Sequence, residues 1–145
     1  MSAHALHPLI RGLFVVVAAV AIGFGIAGLR QTNRCDDAKQ AIDVVIYQRS
    51  QGVRDQDPRE IASTQRKLVA DCRDRTELAR YATLEGTVGL TAPAASLART
   101  VTRLEPTNRF GWLALALVLN RVEPAAADAA RRRAHALDPR GVPLP

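Results

Sequence analysis

Aromatic residues are scarce. Phe, Trp and Tyr together make up 4% of the 145 residues, which leaves few rings for stacking on bases. Lysine is nearly absent, at Lys39 and Lys67 only, so the net charge of +6 and the isoelectric point near 10.3 come almost entirely from arginine. The arginines are interleaved with 14 acidic residues, and only Arg131-Arg132-Arg133 forms a run. A basic balance without a basic stripe, a binding motif or an aromatic platform does not make a nucleic-acid protein, and no nucleic-acid partner is expected.

Reactive constellations are missing as well. The three histidines are His4, His7 and His135. His4-x-x-His7 stands in a short N-terminal tail without the further ligands a zinc site needs. His135 lies among arginines with no Ser or Cys nucleophile nearby. Asp36-Asp37 and Asp55-x-Asp57 fall near expected helix starts, where carboxylates favour the helix dipole. The only close glycine pair of phosphate-loop flavour, Gly23-x-Gly25, sits inside an apolar run. No catalytic residue, metal ligand, cofactor site or small-molecule substrate is nominated, and the chain is not expected to be an enzyme.

Alanine and arginine dominate what is present, both good helix formers, and β-branched runs are confined mainly to one segment. The expected fold class is all-α. The length suits about one domain.

That segment, from Gly12 to Leu29, reads GLFVVVAAVAIGFGIAGL without a charge, between Arg11 and Arg30. At 1.5 Å per residue it spans roughly 27 Å, close to the hydrocarbon thickness of a bilayer. One N-terminal transmembrane helix is expected over 12–30. The rival is a cleaved signal peptide ending near Gly25-Ile26-Ala27; its apolar region is usually shorter, and Arg30 and Arg34 disfavour cleavage. Ala19, Gly23 and Ala27 recur every fourth residue, the small-residue spacing that lets membrane helices approach closely.

The next stretch, 31–74, reads as a helical hairpin. Cys35, Ala38, Ile42, Val45 and Ile46 give an apolar face from about Asn33 to Ser50, and Gly52 suits the stop. Asp57, Pro58 and Glu60 announce a second helix whose apolar face holds Ile61, Leu68, Val69 and Cys72. A short link makes the two helices antiparallel. Cys35 and Cys72 lie at similar distances from the turn, so the spacing predicts a disulfide closing the open end, which contributes about 3 to 4 kcal/mol in the chain-entropy model. Disulfides persist outside the cytoplasm. Arg30, Arg34, Lys39 and Arg49 after the span argue for a cytoplasmic domain by the positive-inside rule. The cysteine pair is given the greater weight, and an extracytoplasmic domain is expected.

From Arg75 to Pro139 the chain echoes itself. PAASLARTVTRLEP and PAAADAARRRAHALDP both begin with Pro-Ala-Ala, at Pro93 and Pro124, and both end on a leucine, an acid and a proline, Pro106 and Pro139. Between them an apolar helix carries Trp112, Leu115, Ala116 and Leu119 at spacings of three and four. Here the chain resembles the tetratricopeptide repeat family, a helix-turn-helix unit of about 34 residues. Trp112, Leu115, Ala116, Ala127, Ala134 and Pro139 fall at matching positions with one residue fewer in the turn. In the preceding unit Leu78, Ala82, Ala94 and Pro106 match, while Gly86 and Gly89 sit late in the first helix. Arg131 stands where a bulky residue is usual.

The resemblance implies stacked antiparallel pairs, about three including the Cys hairpin, and a concave face that takes a protein segment. On that face it implies Tyr81, Glu85, Arg109 and Asn120 as contacts, with Trp112 either in the core or lining the groove. The expected division is a tail over 1–11, the span, the hairpin over 31–74, repeats over 75–139 and a tail over 140–145. The expected function is a membrane-anchored adaptor or scaffold for protein–protein interaction at the cell envelope. The alternative is an accessory structural subunit packed into a larger integral complex through its span.

Overall fold

The computed structural model of the protein describes Val20 and residues 30–139. Among them the chain forms six helices and no strand: α1 over 30–50, α2 Pro58–Asp71, α3 Arg75–Thr87, α4 Thr91–Leu104, α5 Arg109–Leu119 and α6 Pro124–Leu137. The expected span, with Ala19, Gly23 and Ala27, and both tails lie outside the described residues apart from Val20 and Arg30. Among the described residues no helix is long and apolar enough to cross a membrane.

Local signals set the helix ends. The Asp57 carboxylate accepts from the Arg59 backbone N–H at 2.8 Å, and Pro58 fills the first position of α2, where no N–H is needed. Asp74 accepts from the N–H groups of Thr76 and Glu77 and so starts α3. Gly52 and Gly89 end α1 and α3 with φ of 89° and 84°, a left-handed conformation that costs other residues about 1 to 2 kcal/mol. The first helix is already helical at residue 30, three residues before the start expected at Asn33.

α1 and α2 form the expected hairpin. Cys35 and Cys72 are joined, with S–S 2.06 Å and Cα–Cα 4.8 Å. α3 pairs with α4 and α5 with α6, and α5 also packs against both α3 and α4. The core between these helices is built largely from alanine: Ala82, Ala94, Ala98, Ala116, Ala127 and Ala134 are all buried. Small side chains let the helices approach closely, while Leu78, Leu97, Val101 and Leu119 fill the space between them.

Two glycines mark the tightest contacts. A Cβ on Gly111 of α5 would stand 2.8 Å from Val101 Cγ1 of α4, and one on Gly86 of α3 would stand 3.0 Å from Val118 Cγ2 of α5. The lateness of Gly86 and Gly89 in the first repeat-like unit therefore has a packing cause. Gly86 admits Val118, and Gly89 turns the chain into α4.

Candidate functional site

The close approach at Gly86 fixes how α3 and α5 lie side by side, and a groove of about 520 Å³ opens beyond it. Thr83 and Thr87 supply its α3 wall, Leu117 and Val118 its α5 wall, and Arg121 and Val122 close one end. Leu117 and Val122 stay more than half exposed, at 53% and 57%. Thr83 Oγ1 donates to Ala79 O at 3.1 Å and Thr87 Oγ1 to Leu84 O at 2.7 Å, so both hydroxyls present acceptor lone pairs. The wall residues thus offer apolar surface, hydroxyl acceptors and one guanidinium. That set suits the side chains and backbone N–H groups of another polypeptide.

Of the five contact residues expected from the sequence, Asn120 alone lines this groove, where it accepts from Arg131 Nη2. Tyr81 and Glu85 are corrected: they are buried, and they face the α1–α2 hairpin instead of an open surface. The Tyr81 hydroxyl donates to Asp43 Oδ2 of α1 at 3.4 Å, and Gln65 Nε2 of α2 donates to Glu85 Oε2 at 2.6 Å. Burial, with Asp43 as a second cause, pushes Tyr81 up to about 12. Burial pushes the Glu85 carboxyl up to about 7. Glu77, one turn before Tyr81, meets Lys39 Nζ at 2.7 Å, and that hydrogen bond raises the lysine. Glu77, Tyr81 and Glu85 therefore form one polar stripe of α3 turned toward the hairpin, while Thr83 and Thr87 face the groove.

Arg109 and Trp112 stand at the other end of α5. Arg109 Nη1 pairs with Asp138 at 2.7 Å and ties the start of α5 to the end of α6. Trp112 is half-buried against the core, and its Nε1–H donates to Pro106 O at 2.9 Å. Both hold the fold together. Asn108, not singled out in the sequence, is buried at the same end. It caps α5 by accepting from Gly111 N–H at 3.0 Å, and its amide donates to Glu105 Oε2 at 3.1 Å and Thr76 Oγ1 at 3.4 Å. Its place after Pro106-Thr107, ahead of an apolar run, was the available signal for a cap.

Among the described residues no group of three or more His, Cys, Asp and Glu side chains is placed to hold a metal. Protein-family models, curated proteins and solved structures give no match to this chain, so its function is read from its own residues.

Proposed function

We propose that the chain is a non-catalytic, membrane-anchored adaptor, built from tetratricopeptide-like helix pairs, that holds a segment of a partner protein at the cell envelope. The observation that carries this reading is the α3–α5 groove, where Leu117 and Val122 remain exposed beside hydroxyl acceptors and Arg121. Exposed apolar side chains gathered in a concavity with a polar rim are what a protein-binding surface needs. The Cys35–Cys72 bond favours an oxidising compartment, hence a domain outside the cytoplasm. The uncharged run from Gly12 to Leu29 supplies the anchor.

A second reading is favoured by Ala19, Gly23 and Ala27. The span itself packs permanently into a larger integral complex, and the helical domain braces it. Purification from native membranes in mild detergent separates the two. The full chain and a chain beginning at Gln31 are each used as bait. The adaptor reading expects both to retain the same partner, and loss of that partner with the shorter chain contradicts it in favour of the second reading.

A further inference from the structure

Among the described residues Glu85 is the one ionisable side chain that is fully enclosed. It sits on α3 where the α1–α2 hairpin docks. Its Oε2 accepts from Gln65 of α2, and its Oε1 has no partner. The hairpin is a stiff unit, tied by the disulfide at one end and by the turn at Gly52 at the other. Its side-chain pairs with α3 run along one stripe, Lys39–Glu77, Asp43–Tyr81 and Gln65–Glu85, and at the α2–α3 corner Arg75 Nη1 donates to Val69 O at 3.3 Å and Cys72 O at 3.0 Å. Beside that stripe α2 touches α4 over few residues, and a cleft of about 350 Å³ lined by Gln65, Arg66, Thr100 and Arg103 remains between them.

The geometry points to the α1–α2 hairpin as a proton-controlled element: protonated Glu85 keeps it seated on α3, and ionised Glu85 lets it lift and widen the α2–α4 cleft. An enclosed carboxylate with one unpartnered oxygen costs far more than its neutral acid. Lifting the hairpin removes Gln65 and admits water, which solvates the charge. Burial is the dominant cause of the raised Glu85 carboxyl, near 7, and the Gln65 hydrogen bond opposes it only in part.

No cation offsets the charge. On α1, Lys39 and Asp43 are engaged by Glu77 and Tyr81. On α2, Arg66 is exposed, and on α4 Arg103 is exposed at the rim of the cleft. On α5, Val118 lies beside Gly86, and Arg109 is at the far end, paired with Asp138. On α3, Arg80 is exposed, and Tyr81, pushed up to about 12, stays neutral through the physiological range. The ion pairs among the described residues do not include Glu85.

Hydrogen exchange read by mass spectrometry on the full chain in detergent micelles tests the device at pH 5.5 and pH 8, after correction for intrinsic exchange. Protection of α2 is expected to fall on the order of tenfold at the higher pH, as a shift of more than one pKa unit requires, while α6 keeps its protection. Glu85→Gln is expected to hold α2 at the high protection at both values. The same fall in Glu85→Gln, or an equal fall in α6, overturns the proposal. If that variant does not fold, a carbon-13 titration of Glu85 in the native chain decides instead: a midpoint near 7 supports the device, and one below 5 overturns it.

Discussion

Gly111 and Glu85 show how far single atoms decide this fold. Alanine is normally preferred to glycine inside a helix by about 1 kcal/mol. At Gly111 the sign reverses, because the new methyl would stand 2.8 Å from Val101 Cγ1, and Val101 is itself buried and branched. Gly111→Ala is expected to lower stability by about 1 to 3 kcal/mol, the usual range for overpacking, read as a lower midpoint in thermal unfolding by circular dichroism. Glu85 acts through its proton. Its folded value near 7 lies above the ordinary 4.5, so its contribution is complete below pH 4.5 and is lost as pH rises to 7. The full difference amounts to about 3 kcal/mol. Chemical denaturation across that window should show stability falling with pH in the native chain, and a much flatter profile in Glu85→Gln.

At the scale of the element, each helix depends on its ends and on its partner. Asn108→Ala removes the α5 cap together with its two side-chain donations, and is expected to destabilise the protein by about 1 to 2 kcal/mol in the same thermal assay. Reducing Cys35–Cys72 opens a loop with a sequence separation of 37, worth about 4 kcal/mol in the chain-entropy model. Limited proteolysis under reductant should cut first in α1 and α2, with α3 to α6 surviving longer. The hairpin was legible in the sequence because its signals are local and agree: Asp57-Pro58 starts α2, Gly52 stops α1, and the cysteines share a level. The orientation of α3 was not. Leu78, Ala79 and Ala82 spread apolar character around that helix, so no face stood out, and its buried polar residues are accommodated by partners distant in sequence. Gln65 and Asp43 reach Glu85 and Tyr81 only once the chain has folded.

Across the whole molecule, the Leu-acid-Pro ends foretold where α4 and α6 stop and Pro124 foretold where α6 starts, since these positions obey helix-end chemistry that needs no tertiary context, whereas α4 begins at Thr91, two residues before the start expected at Pro93. The groove was legible only at Asn120. Its walls come from Thr83, Thr87, Leu117 and Val118, ordinary residues in sequence, gathered because Gly86 lets α5 lie close to α3. That groove bears the central claim. The most direct measurement is site-specific photo-crosslinking in native membranes, with the photoreactive side chain at Leu117 and, as a control on the exposed face of α6, at Ala129. A partner captured at Leu117 and not at Ala129 is the predicted result. Equal capture at both positions, or capture only from a probe at Gly23 in the apolar segment, would contradict it.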